Sequence, residues 1–261
     1  MHGVGQEDKM LEGISTLWIR SLIRFTRSKS RLIGSFGPPL LILLIAFGLN
    51  SVVNIGGTGY VGFLIPGIVV MSVLFASVTS GIQIIWDKQF GFLKETLVAP
   101  VSRLQIMLGQ TFGGATTACI QGMLIMAIGL IVESRITTLT LTLTGFLIAF
   151  CFMILVGIAF TALGVAIASR MEDFSGFGLI MNFVVMPVFA LSGALFPLTT
   201  LPSWMKVITY IDPLTYGVQG VRYGLSGTFN INPLLSFVIL AGFAIVMILI
   251  GAYSFKKIKF N

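Results

Sequence analysis

The chain has 261 residues, of which 56% are hydrophobic and 10% are charged, and its formal net charge is +7. A soluble domain of this length has roughly a quarter of its residues charged. The composition therefore excludes a soluble globular protein and indicates an integral membrane protein. Both cysteines, Cys119 and Cys151, lie in apolar runs, which argues against a disulfide framework or a cysteine metal site.

The first segment, residues 9–31, has the pattern of an amphipathic helix. One stripe is hydrophobic and the face nearly opposite is basic, the two sets being Leu11, Ile14, Trp18, Leu22 and Phe25 against Lys9, Arg20, Arg24, Arg27 and Arg31. This pattern is typical of a helix lying among the headgroups of an anionic leaflet, with Trp18 and the four arginines at the membrane surface. A transit peptide and a nucleic-acid arm are the alternatives. No cleavage site follows, which disfavours a signal peptide.

Long uncharged runs follow this segment. A membrane span needs about 20 residues, and the first run is divided by the turn-like sequence NIGGTG at 54–59. The runs therefore predict about six spans, at 32–53, 61–86, 104–131, 143–169, 175–197 and 233–255. Four prolines are candidate kinks within them: Pro38, Pro39, Pro66 and Pro187.

The Lys and Arg residues are distributed unevenly between the two sides of these spans. All but three of the 16 fall on one side, the exceptions being Arg135, Lys206 and Arg222. The positive-inside rule then predicts that both termini and the segment 87–103 are cytoplasmic. This asymmetry accounts for the positive net charge without a nucleic-acid partner.

The segment 87–110 is charged and interrupts the apolar runs. One helical face would carry Phe90, Leu93, Leu97, Val101 and Leu104, and the other Glu95, Thr96, Ser102 and Arg103. Pro100 would end a helix begun near Lys88. Ser102 to Gln105 then has the form of a capping box that starts a new helix. These features predict a short surface helix, a bend and a span, with a plain polar loop as the alternative.

Residues 198–232, between the last two spans, are too short for another complete crossing and return. Asp212 followed by Pro213 is typical of an N-cap with proline at the first helical position. We predict two short helices, near 203–211 and 213–224, that dip into the outer leaflet.

Two strings resemble the ABC-2 type transporter permeases, membrane subunits of the daunorubicin-resistance and nodulation-export kind. FGFLKETLVAPVSRLQIMLGQ at 90–110 is similar to the family's coupling helix, which docks into a separate ATPase. SGALFPLTTLPSWMKVITYIDPLTYGVQGVRYGL at 192–225 resembles its re-entrant outer hairpin, with Asp212 where the family usually has Asn. The resemblance implies coupling residues Phe90, Gly91, Leu93, Lys94, Glu95, Thr96, Leu97, Ala99, Pro100 and Arg103. It implies hairpin residues Pro197, Pro202, Trp204, Asp212, Pro213, Tyr216 and Arg222.

The sequence offers little for catalysis. It has no Walker A motif, and Gly109 to Gly113 is a G-x-x-x-G motif typical of close helix packing. The single histidine is His2, and no acidic residue lies near the middle of a predicted span. Proton- and sodium-driven transporters usually have an ionisable group there, so we expect no cofactor or metal in this chain and an energy source in a partner.

Together these features predict an all-α polytopic membrane protein, with a tail and interfacial helix at 1–31 and an ABC-2 type transmembrane domain at 32–261. The resemblance implies the permease of an exporter in the plasma or inner membrane. It would be a homodimer with two copies of an ATPase that binds ATP and Mg, in contact with lipids. A channel, a secondary transporter or a scaffold is the alternative class. Spans rich in Phe, Met, Leu and Ile favour a drug or lipid over a polysaccharide or glycolipid.

Overall fold

The computed structural model describes residues 4–50, 54–55, 58–92, 102–134 and 142–256, with side chains described at 11–28, 36–50, 59–92, 102–134 and 142–256. Its helices are α1 (Val4–Arg27), α2 (Lys29–Leu49), α3 (Tyr60–Ser80), α4 (Ile82–Gln89), α5 (Arg103–Ser134), α6 (Leu143–Ser169), α7 (Phe174–Ile180), α8 (Met186–Leu191), α9 (Ser203–Ile211), α10 (Pro213–Ser226) and α11 (Pro233–Lys256). A π-helical turn, Met181–Val185, joins α7 to α8, and a 3-10 turn, Leu198–Thr200, precedes α9.

Five of the described helical stretches are long and apolar enough to cross a membrane: Tyr60–Gln89, Arg103–Ser134, Leu143–Ser169, Phe174–Leu191 and Pro233–Lys256. The predicted all-α polytopic class is confirmed. The predicted span 143–169 coincides with α6. The fifth predicted span extended too far, because the helix ends at Leu191 and is followed by a turn with Gly193 at φ +73°.

The first predicted boundary is also corrected. α1 ends at Arg27, Ser28 is not helical, and α2 already begins at Lys29. Arg31 therefore belongs to α2 rather than to the amphipathic helix, and its side chain lies outside the described set. Residues 36–49, the part of α2 whose side chains are described, are apolar. The turn predicted at 54–59 is present as two antiparallel two-residue strands, β1 (Asn54–Ile55) and β2 (Thr58–Gly59).

The core of the bundle is formed by α3, α5 and α6, which pack against one another. α3 is the most buried of them, with a run of fully buried side chains from Ile68 to Leu74. α10 and α11 pack against α6, α2 packs against α3, and α1 packs along α5. Of the four candidate kinks, Pro187 directly follows the π-helical turn, where the hydrogen-bond ladder is already shifted.

The packing of α1 explains the G-x-x-x-G motif. A Cβ atom added to Gly109 would lie 2.6 Å from Leu17 Cβ, and one added to Gly113 would lie 2.5 Å from Ser21 Cβ. The predicted close helix packing is confirmed, and the partner is α1. The buried face of α1 is rotated from the predicted stripe and overlaps it in part: Leu17, outside the stripe, is buried together with Phe25, whereas Leu11 is 66% exposed. A residue with a Cβ atom at position 109 or 113 of α5 would keep α1 farther away.

Candidate coupling and transport site

We call the end of the bundle that carries Lys88, Arg103, Arg170 and Lys256 the basic end. Here the structure corrects the predicted start of the coupling helix. Lys88 and Gln89 are the last residues of α4, and the chain then turns through Gly91, whose φ is +79°. Glycine adopts this left-handed conformation without the steric cost of a Cβ. Phe92 is helical again, and the predicted residues Leu93, Lys94, Glu95, Thr96, Leu97, Ala99 and Pro100 lie outside the described part of the chain.

Phe90 lies in this turn and not within a helix. Its side chain is 60% exposed. Its ring stacks on Trp86, with centroids 5.2 Å apart, and Trp86 also contacts Phe174 at the start of α7, with centroids 5.1 Å apart. The turn therefore contacts α4 directly through Trp86, and Trp86 in turn connects it to the start of α7.

Lys88 fastens the end of α4 to the end of α6. Its Nζ donates hydrogen bonds to the carbonyl oxygens of Ala168, Ser169 and Met171. These carbonyls belong to the last turn of α6 and the residues just after it, where carbonyls lack the usual partner four residues later, although Ala168 O also accepts from Met171 N–H at 3.2 Å. Gln89 Nε2 adds a bond to the carbonyl of Glu172 at 3.0 Å. These hydrogen bonds therefore join the C-terminal end of α4 to the C-terminal end of α6.

The other flank of the segment 92–101 is fastened as well. The predicted capping box is confirmed, because the Gln105 side chain accepts from the Ser102 backbone N–H and Ser102 Oγ accepts from Gln105 N–H. Arg103 Nη1 donates to the carbonyl of Lys256 at 2.6 Å, which joins the start of α5 to the end of α11. A displacement of the segment 92–101 would therefore act on the end of α4 and the start of α5, which are hydrogen-bonded to the ends of α6 and α11.

Asp87 connects α4 to α1. Its Oδ1 lies 3.5 Å from Arg20 Nη2 and 3.4 Å from Arg24 Nη1, and the carboxylate side chain is 6% exposed. The sequence predicted that Arg20 and Arg24 face lipid headgroups. Both arginines instead contact this buried carboxylate. Arg27 is exposed in the last turn of α1, and Trp18 Nε1 donates to Thr116 Oγ1 of α5 at 3.0 Å.

A cavity of about 600 Å³ lies between α1, α2, α3, α4, α5 and α8. We call it the α1–α5 cavity, and it is lined by Arg20, Ser21, Arg24, Phe25, Pro38, Pro39, Met71, Ser72, Phe75, Ala76, Thr79, Ser80, Ile82, Gln83, Trp86, Gln110, Gly114, Thr117, Gln121 and Met186. The arginines and Trp86 lie beside Asp87 at the basic end. Met71, Ser72 and Gln121 lie farther along their helices, toward the middle of the bundle.

This cavity was not predicted from the sequence, although the sequence contains a signal for it. On α5 the lining residues are Gln110, Gly114, Thr117 and Gln121, spaced by four, three and four residues. That spacing places them on one helical face. Ser72, Ala76, Thr79 and Gln83 repeat the same spacing before and across the α3–α4 junction. A search for neutral polar side chains at helical spacing, rather than for acids alone, would have found both faces.

The opposite end of the bundle carries the predicted hairpin. The two helices α9 and α10 have the predicted starts, and Asp212 caps α10 by accepting from Leu214 N–H at 2.9 Å. Pro213 occupies the first helical position. Asp212 is 7% exposed, and this burial raises the pKa of its carboxyl to about 7, against the lowering effect of the hydrogen bonds from Leu214 and Thr215.

Tyr216 and Arg222 attach this hairpin to its surroundings. Tyr216 Oη donates to the carbonyl of Tyr210 at 2.6 Å, which joins α10 to α9. Arg222 Nη2 donates to the carbonyl of Gly193 at 3.1 Å, and the guanidinium lies 4.3 Å from the centre of the Phe63 ring. Burial lowers the pKa of Arg222 to about 10. Of the other predicted residues, Pro197 and Pro202 directly precede helical turns and Trp204 is 65% exposed.

Comparison with known proteins identifies the family. The profile of the ABC-2 type transporter family matches residues 12–226, which includes most of α1, both flanks of the segment 92–101 and the helices α9 and α10 of the hairpin. The chain belongs to the ABC-2 type transporter family. It is a multi-pass membrane protein, the membrane subunit of an ABC transporter. Members of this family generally have no catalytic site of their own, and membership implies an ABC ATPase subunit as partner.

Individual relatives extend over most of the chain. The transport permease ycf38 of Cyanophora paradoxa is 28% identical, over 92% of this chain and 86% of its own length. The inner membrane transport permease YadH of Escherichia coli K12 is 26% identical, over 91% and 92%. Nodulation protein J of Rhizobium leguminosarum bv. trifolii is 28% identical, over 79% and 78%.

Proposed function

We propose that this chain is the permease of an ABC exporter that moves a hydrophobic or amphipathic compound out of the cytoplasm or the inner leaflet. The observation that carries the proposal is the α1–α5 cavity, which begins at the basic end and extends toward the middle of an ABC-2 type transmembrane domain. Its wall includes Met71, Phe75 and Met186, side chains that accept apolar ligands of varied shape. The positive-inside rule places the basic end, together with both termini, on the cytoplasmic side of the plasma or inner membrane.

In this proposal the segment 90–103 receives the motion of the ATPase. Its two flanks are fastened to helix ends, through Lys88 and Gln89 on one side and through Arg103 on the other. Movement of the segment would therefore shift α4 and α5, and both helices line the cavity. Hydrolysis of ATP, bound with Mg to the partner, supplies the energy.

The exporter is a homodimer with two ATPase copies, surrounded by lipid. The exposed apolar faces support this arrangement. Six large apolar side chains on these faces are exposed in the single chain: Leu40, Leu41, Leu44 and Ile45 of α2, and Phe183 and Val184 beside α8. A mass measurement of the solubilised complex should show two permeases and two ATPases. A stable, hydrolysing pair of one permease with one ATPase would contradict the homodimer.

The test of coupling is a charge placed in the segment. Leu97→Asp should lower both transport and transport-stimulated ATP hydrolysis severalfold, with membrane insertion and expression nearly unchanged, in vesicles containing both subunits. Ser203→Asp is the matched control, because it adds the same charge to an exposed position at the opposite end of the bundle, at the start of α9 where a helix favours an acid. Full coupling in Leu97→Asp would mean that the segment is only a loop.

A further inference from the structure

We propose that the α1–α5 cavity selects an anionic amphiphile, with its acidic headgroup at Arg20 and Arg24 and its apolar chain toward Met71 and Met186. The inference deepens the proposed export function by naming the chemistry of the cargo, and it depends on that function only for the step of transport. The binding step can be measured without the ATPase.

The charges of the cavity wall are the first argument. Among the described lining residues, Arg20 and Arg24 carry the only charges. Guanidinium groups form paired hydrogen bonds with phosphate and carboxylate oxygens, which gives them a geometric preference for such headgroups. Asp87 offsets part of the charge of the two guanidinium groups, and the cluster stays net positive, so a cationic headgroup in this partly desolvated site would be repelled. The wall therefore favours acidic over cationic amphiphiles.

The position of the arginines is the second argument. Asp87 holds both guanidinium groups at the basic end of the cavity, at 3.5 and 3.4 Å, while its own carboxylate is absent from the wall. Each arginine side chain still has about one third of its surface exposed. Asp87 thus fixes the two side chains where a headgroup entering from the basic end would meet them. It also competes with that headgroup for the same hydrogen-bond donors.

The depth of the cavity is the third argument. Fourteen residues separate Ser72 from Trp86, which corresponds to about 21 Å along a helix. One leaflet of hydrocarbon is about 15 Å deep. An alkyl chain attached to a headgroup at Arg20 therefore has room to extend along Phe75 toward Met71 and Met186. Ser72, Thr117 and Gln121 at the inner end can hydrogen-bond an ester or hydroxyl group.

A fluorescence titration tests the inference. The chain has three tryptophans, and of these only Trp86 lines the cavity, so Trp18→Phe with Trp204→Phe leaves one reporter there. The protein in phosphatidylcholine nanodiscs is titrated with dodecyl phosphate, dodecyltrimethylammonium, dodecyl maltoside and inorganic phosphate. We expect a saturable signal with dodecyl phosphate at a concentration at least tenfold lower than with dodecyltrimethylammonium. Inorganic phosphate should give no saturable signal, because it lacks the chain.

Three variants separate ligand binding from structural support. Arg20→Gln with Arg24→Gln should weaken dodecyl phosphate at least tenfold and leave dodecyl maltoside unchanged. Asp87→Asn removes the ion pairs but keeps both arginines, so it should preserve or improve dodecyl phosphate binding. Ala76→Phe, which fills the cavity, should abolish the signal, whereas Ala127→Phe on the exposed face of α5 should not.

Equal affinity for the two charged amphiphiles would overturn the inference, and so would tight binding of inorganic phosphate alone. A loss in Asp87→Asn as large as that in the double arginine variant would show that the arginines only hold α1 in place. If dodecyl phosphate binds selectively but is not moved when the ATPase and ATP are present, the site stands and the export proposal fails. If transport occurs without this selectivity, only the present inference fails.

Discussion

The acidic cap of the hairpin makes a testable prediction about pH. Asp212 is 7% exposed, and its burial raises the pKa of its carboxyl from 3.8 to about 7. Asp212→Asn keeps a side-chain oxygen that can accept from Leu214 N–H, so the cap survives while the charge is removed. The variant therefore isolates the cost of the buried charge.

The sign follows from proton linkage. Because the folded state holds this proton more tightly than the unfolded state, the stability that this carboxyl contributes is fully present below pH 3.8 and is lost as the pH rises to about 7. Above that value the loss is complete. A pKa displacement of this size corresponds to about 4 kcal/mol. At pH 8 Asp212→Asn should thus be more stable than the wild-type protein by up to about 4 kcal/mol, with a much flatter pH dependence.

The measurement is the free energy of unfolding of the solubilised protein between pH 4.5 and pH 8. Asp173→Asn is the matched control, because Asp173 also caps a helix, accepting from Gly176 N–H at 2.7 Å, but is exposed. The control should not reproduce the gain at pH 8. If Asp212→Asn follows the wild-type pH dependence, or is less stable at pH 8, burial does not dominate at this carboxyl.

Two further predictions concern the contact of α4 with α6 and the contact of α1 with α5. Lys88→Met removes the ammonium that donates to the carbonyls of Ala168, Ser169 and Met171. A hydrogen bond from a charged group contributes about 1.5–3 kcal/mol, and one half-buried ammonium does not make three such bonds at full strength, so the loss should be about 2 kcal/mol in detergent unfolding, with Lys88→Arg largely retaining stability. An unchanged unfolding curve would contradict the joint between α4 and α6. Gly113→Leu should cost about 1–3 kcal/mol and speed proteolysis within α1, because the added side chain meets Ser21. Gly178→Leu, at a glycine with open space, should do neither.

The sequence predicted best those features that depend on neighbouring residues. The capping box at Ser102 and the Asp212 cap each involve side chains and backbone groups within three positions. The bounds of α6 followed from a single apolar run. Such local signals are complete within a short window, so an isolated sequence carries them.

Pairing across the bundle could not be read in the same way. Arg24 and Asp87 are 63 positions apart, and their contact requires α1 to pack on α5 through Gly109 and Gly113. The amphipathic pattern of α1 is compatible with a lipid surface and with a helix face, and only the small-residue groove of α5 decides between them. The start of the surface helix near Lys88 was mispredicted because a glycine turn at Gly91 is independent of the apolar periodicity that continues around it.

The helix that leads to the coupling segment is also a wall of the cavity. α4 continues α3 with only Gly81 between them, and this unit lines the cavity from Met71 to Trp86. Asp87 and Lys88, which are adjacent in sequence, join its end to α1 and to α6, respectively.

A displacement of the segment after Gly91 therefore has two possible outcomes. Either both joints hold and the wall moves with α1 as one body, or the Asp87 joint opens and frees the arginines at the cavity's end. Because a headgroup bound to Arg20 and Arg24 competes with Asp87, the second outcome would couple ligand binding to the position of α4. The two outcomes differ in how nucleotide affects the ligand site. If the Asp87 joint opens during the cycle, ATP should strengthen dodecyl phosphate binding in the wild-type complex but not in Asp87→Asn; if both joints hold, ATP should leave the affinity of both proteins unchanged.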